Sequence, residues 1–187
     1  GVQTLTITVT SQSIEFFRNL HSQHQKHPFV LERIEDTAAE KDRSDVDINV
    51  FWSALVEIIN ITEVSSTGLN KQINDFNKAD YKIKKWDCVK EIPKGDLREL
   101  AYTEFMDSGI GRHCSSNAKF AVFNRNFIND VGEETVLNTI NSCEVGNPAS
   151  EEKTCVFLQK FKGMGPKQSR KLLQYLGRSQ HQIPIDS

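Results

Sequence analysis

The sequence predicts an all-α fold with one short strand near its start. Apolar residues recur at helical spacing through most of the chain. Glycines and prolines fall between those periodic stretches, where a helix has to stop or begin. Strict alternation of polar and apolar residues is clean only over Thr4-Leu5-Thr6-Ile7-Thr8-Val9, which reads as a strand.

Taken in order, Ser13 to Leu20 carries Ile14, Phe17 and Leu20 at helical spacing, and a polar, histidine-containing stretch leads on to Phe29, Val30 and Ile34. Asp36 to Asp47 is charged and poor in large apolar groups, which predicts a loop. Val50 to Ile61 is the most apolar segment, with Phe51, Leu55, Ile58 and Ile59 recurring as on one helical face; that is the mark of a central buried helix. Polar residues from Thr62 to Gly68 interrupt it, and Leu69, Ile73 and Phe76 predict a second helix returning beside it. Asp96 is placed to cap a helix bearing Leu97, Leu100 and Phe105. Two further helices are expected over 118–128 and 133–140. Ser150, followed by Glu151 and Glu152, predicts a serine-capped helix over 151–161. Lys162-Gly163-Met164-Gly165-Pro166 then reads as a tight glycine hairpin opening onto another helix. Pro166 is preorganised for a first helical turn, and Gly177 is placed to end it.

With 187 residues, 37% hydrophobic and 26% charged, the chain suits one compact domain or two small ones sharing an interface. Lys and Arg number 23 against 25 Asp and Glu, so any affinity for a polyanion has to be local. No apolar run approaches the roughly 20 residues that cross a bilayer, and the start lacks a basic-then-apolar leader. A soluble, intracellular protein with no membrane partner is expected. Cys88, Cys114, Cys143 and Cys155 show no C-x-x-C spacing, so buried free thiols are expected rather than zinc or iron–sulfur ligands. His21, His24 and His27 drift around a helix, and no neighbouring ligand completes a tetrahedral set. His113, beside Arg112, reads as an exposed loop residue within reach of a phosphate. Neither a metal nor a cofactor is expected.

The chemistry concentrates near the end of the chain. A helix, a glycine hairpin and a second helix can grip a DNA phosphate through backbone N–H groups and the second helix's N-terminus. Charge agrees locally: Lys153, Lys160, Lys162, Lys167, Arg170, Lys171 and Arg178 follow one another without an intervening acid. On a helical wheel Leu172, Leu173 and Leu176 share one side, with Lys167, Arg170, Lys171 and Gln174 opposite. Lys167 falls in the first turn. There the positive end of the helix dipole and Lys171 one turn along both disfavour its charged form, and only a neutral amine attacks carbon.

Phe161-Lys162-Gly163-Met164-Gly165-Pro166-Lys167, followed after a helix by Ile183-Pro184-Ile185-Asp186, resembles the signature of the helix-hairpin-helix DNA glycosylases, the superfamily of endonuclease III and the 8-oxoguanine DNA glycosylases. The separation of Lys167 from Asp186 is similar to that in the 8-oxoguanine branch. Phe51-Trp52-Ser53-Ala54-Leu55-Val56 is similar to the central helix that precedes the family's DNA-inserting loop. The resemblance implies a helical glycosylase fold over 46–187, without the family's C-terminal helices, on which an N-terminal strand and helical segment, 1–45, packs. Because the sequence stops one residue past Asp186, it reads as a fragment or as a chain whose missing segment is supplied otherwise.

The resemblance also implies a function. The protein would be a base-excision repair DNA glycosylase and AP lyase that removes an oxidised purine, 8-oxoguanine first among them, from double-stranded DNA. Lys167 would be the nucleophile that forms a Schiff base, and Asp186 its carboxylate partner. Gly163, Met164 and Gly165, with Lys162, Arg170 and Lys171, would hold the DNA backbone. Asn60 would face the gap left by the flipped nucleotide. A monomer in the nucleoid-associated cytoplasm or the nucleus follows. Two other readings stay open: a non-catalytic helix-hairpin-helix DNA-binding module, and a monofunctional glycosylase in which Asp186 activates water.

Overall fold

The computed structural model describes residues 45–61, 75–76, 78–110 and 112–180. The strand expected at 4–9, the helix at 13–20, the histidine trio, nearly all of the 1–45 segment and Asp186 lie outside the described residues. So does most of the segment from Leu69 over which a returning helix is expected; Phe76, which is described, is fully buried.

Among the described residues the fold is all helical, with seven α-helices and one 3-10 turn. The central helix, α1 (Ile48–Ile61), is buried along its whole length from Phe51 to Ile61. A helix apolar on every face can only sit inside the others, and α1 indeed touches the 3-10 turn, α2, α4 and α7. It starts two residues earlier than its apolar run, because the Asp47 carboxylate accepts from the Val50 N–H at 2.9 Å and supplies the cap.

The 3-10 turn (Lys82–Lys84) and the single-turn α2 (Trp86–Val89) were not expected from periodicity, being shorter than any period. They are held by aromatics. Trp52 donates its indole N–H to the Ile83 carbonyl at 2.7 Å, and Trp86 donates to Glu133 Oε2 at 2.7 Å. The two indoles lie 5.3 Å apart, tilted, each fully buried, and such a pair contributes about 0.5–1.5 kcal/mol beyond its buried area.

α3 (Lys94–Ser108) packs along α4 (Cys114–Val131), with α5 (Glu133–Asn141) following after a glycine turn. Asp96 is not the cap of α3. The helix begins at Lys94 after Pro93, and Asp96 lies in the first turn, where it meets the helix dipole instead. α4 runs well beyond the expected 118–128 at both ends. Its buried Arg125 reaches the Val89 and Ile92 carbonyls at 2.6 and 2.7 Å, satisfying orphan acceptors at the end of α2.

α6 (Pro148–Leu158) is capped by Asn147, whose side chain accepts from the Ala149 and Ser150 N–H groups. The expected capping residue, Ser150, is inside the helix, and its hydroxyl accepts from the Glu144 N–H at 2.8 Å. Proline one residue after asparagine moves the start back by three, since proline suits the first helical position. α7 (Pro166–Tyr175) starts at the expected proline. At its end Gly177, at φ +76°, donates to Gln174 and Arg178 to Leu173, the paired bonds of a left-handed glycine stop.

No helix among the described residues is long and apolar enough to cross a membrane. Cys114, Cys143 and Cys155 are buried free thiols, whereas Cys88 is exposed.

Candidate functional site

The segment between α6 and α7 forms the tight hairpin that its glycines predict. Phe161, just before it, is 2% exposed and sits among Phe51, Phe127 and Phe157, with ring centroids 5.0–6.0 Å away. This aromatic anchor fixes where α6 ends. Asn124 of α4 then clamps the next residue from both sides. Its Oδ1 accepts from the Lys162 N–H at 2.8 Å, and its Nδ2 donates to the Lys162 carbonyl at 3.1 Å.

The two hairpin glycines do different work. Gly163 has φ +86°, a conformation that side chains with a Cβ rarely adopt, and its backbone lies against α1 and α4. A Cβ there would stand 3.1 Å from Phe120 Cδ2 and 3.3 Å from both γ carbons of Ile59. Gly165 is extended, at φ −95° and ψ −171°, and is the cap residue of α7. Its N–H donates to Gln168 Oε1 at 3.1 Å, so the side chain three residues on already satisfies one helix-end donor. Met164 between them is 6% exposed and belongs to the core, so its side chain is an anchor and only its backbone can face a ligand.

The basic residues divide by position. Lys153, Lys160 and Lys162 are exposed, the last with its amine 5.1 Å from the centre of the Phe123 ring. Lys167 is half-buried in the first turn of α7. Arg170 forms an ion pair with Glu152 of α6, so part of its charge is spent within the protein. Glu152 sits just before the acid-free run, and only the antiparallel pairing of α6 with α7 brings it across. Arg178 is not part of the patch at all. It is 7% exposed and bonds Asn141 Oδ1 at 2.8 Å and Asp45 at 3.3 Å, tying the end of α7 to α5 and to the start of the described chain.

Lys171 is half-buried on α7, one turn after Lys167. Burial holds its amine below the ordinary lysine range, and the charge of Lys167 lowers it further. The wheel is therefore correct in outline: Leu172, Leu173 and Leu176 are buried and the cations lie away from them. Tyr175, which the wheel did not assign to the core, is buried with them at 3% exposure.

Asn60 does not face solvent. It is 1% exposed, its Nδ2 donates to the Val56 carbonyl at 2.8 Å, and its Oδ1 accepts from Asn117 at 3.1 Å. Both ends of the amide are engaged inside the helix bundle, which corrects its expected place at a DNA gap. With Asn117, Asn124, Trp52 and Leu55 it lines a cavity behind the hairpin of about 10 Å³. That is room for about one water.

Two supporting residues were missed from sequence. Gln168 carried a usable signal, standing three residues after the cap position. Asn124 carried none, since its partner lies 38 positions away. A comparison with family models, with curated proteins and with solved structures finds no match.

Proposed function

We propose that the protein is a DNA glycosylase with AP lyase activity, acting on an oxidised purine such as 8-oxoguanine in duplex DNA through Lys167. The observation that carries this reading is the place of Lys167, in the first turn of a helix that opens directly from the braced glycine hairpin. A hairpin fixed from behind presents its front to a phosphate, with Lys160 and Lys162 exposed nearby in sequence.

The chemistry follows from the amine. The target nucleotide leaves the stack, because its C1′ is not approachable within it. Neutral Lys167 forms an Nζ–C1′ bond as the bond from C1′ to the base breaks, and the base departs with its electron pair and takes up a proton. Opening of the sugar ring yields the imine, and loss of a C2′ proton expels the 3′ phosphate. Asp186 steadies the developing positive charge on the sugar.

Borohydride reduction in the presence of duplex DNA containing 8-oxoguanine tests the reading. A covalent protein–DNA adduct that disappears in Lys167→Gln is the expected result. Duplex binding with no trapped adduct overturns the enzyme and leaves a DNA-binding module.

A further inference from the structure

Glu57 is the only acid in α1, the most apolar helix among the described residues, and it is fully buried. Its Oε1 accepts from the Tyr175 hydroxyl at 3.0 Å, and its Oε2 stands 2.9 Å from Lys84 Nζ. The Lys84 side chain is itself only 11% exposed. Burial pushes the Glu57 carboxyl up, against the pull of Lys84, and pushes the Tyr175 hydroxyl well above its ordinary value. Three polar groups from α1, the 3-10 turn and α7 thus meet inside a core where apolar side chains of similar volume would avoid the desolvation.

What such a contact supplies is direction. The leucines of α7 are buried against their neighbours through apolar contact, which is insensitive to small slides and rotations. A hydrogen bond from Tyr175 to a carboxylate on α1 fixes distance and angle together. Tyr175 lies in the last turn of α7 and Lys167 in its first, on one rigid helix. Whatever sets the rotation and axial position of one end therefore sets those of the other.

We propose that Glu57 is a positioning residue: through the Tyr175 hydroxyl it sets the rotation and register of α7 against α1, and so aims the Lys167 amine at the reacting carbon. The proposal rests on the reading of Lys167 as the nucleophile. Lys84 has a separate part, balancing the buried carboxylate.

Single-turnover borohydride trapping on duplex DNA containing 8-oxoguanine, with the protein saturating, is the test. Tyr175→Phe removes one oxygen and leaves the Glu57–Lys84 pair in place. Its trapping rate should fall about tenfold or more, since a misplacement of about 1 Å can cost on the order of a hundredfold. Duplex affinity should stay within about twofold, and the folded fraction at the assay temperature should not change; a merely structural role would not split rate from binding. Glu57→Gln keeps a carbonyl acceptor for Tyr175 but strands the Lys84 ammonium and lowers stability; per folded molecule it should trap faster than Tyr175→Phe, and a rate no faster counts against the proposal. Equal rates in wild type and Tyr175→Phe, or a fall that only follows affinity or folded fraction, overturn the proposal while leaving the nucleophile in place. No adduct from the wild-type protein overturns the Lys167 reading, and the positioning role with it.

Discussion

Replacing Gly163 by alanine should destabilise the fold by about 2–5 kcal/mol, a large share of the roughly 5–15 kcal/mol that holds a domain together. Two costs combine. At φ +86° an L-residue is strained by about 1–2 kcal/mol. The added methyl would also press on Phe120 at 3.1 Å and Ile59 at 3.3 Å, and overpacking of that kind costs about 1–3 kcal/mol. Gly165→Ala is the internal control. Its backbone is extended, and the only close atom is the end of the flexible Gln168 side chain at 3.0 Å. Swinging that amide away loses one hydrogen bond, about 1 kcal/mol. Urea unfolding followed by the fluorescence of the two buried tryptophans, Trp52 and Trp86, reads both variants in one experiment. The midpoint should shift at unchanged slope. A Gly163→Ala protein within about 0.5 kcal/mol of wild type, or a Gly165→Ala protein that is the weaker of the two, would refute the account of how the hairpin is seated.

Asn124→Ala should cost about 1–3 kcal/mol in the same unfolding assay, because it strands both the N–H and the carbonyl of Lys162. Lys171→Met should be more stable than wild type near neutral pH. The folded amine lies below its unfolded value of 10.5, so the wild type gains stability as pH rises between the two, and the advantage of methionine should shrink through that window; an advantage independent of pH would count against it. Lys162→Ala should weaken duplex affinity and reduce the salt slope by about one, measured by fluorescence anisotropy. Arg170→Ala should change both less, since Glu152 already holds its guanidinium.

Much of the fold was legible. α1 announces itself through unbroken apolarity, and α7 through Pro166 at one end and Gly177 at the other, because these are local backbone effects that need no partner. Helix starts were read less well. Asp96 and Ser150 both have capping side chains, yet Pro93 and Asn147-Pro148 set the boundaries, since a proline fixes its own φ whatever capping residues follow. The short elements around Trp86 were illegible because they are made by indole hydrogen bonds to residues 31 and 47 positions away.

The sequence by itself determined that a glycine hairpin followed by proline and lysine ends one helix and begins another, because proline geometry and positive-φ glycine are properties of single residues. Only the tertiary structure decided which charges remain available around it. Arg170 lost part of its charge to Glu152, Arg178 was drawn into the interior by Asn141 and Asp45, and Asn60 was consumed by Val56 and Asn117. Composition cannot foretell this, because solvation and pairing depend on which helices happen to pack together, and a side chain is exposed or spent only once its neighbours across the core are in place.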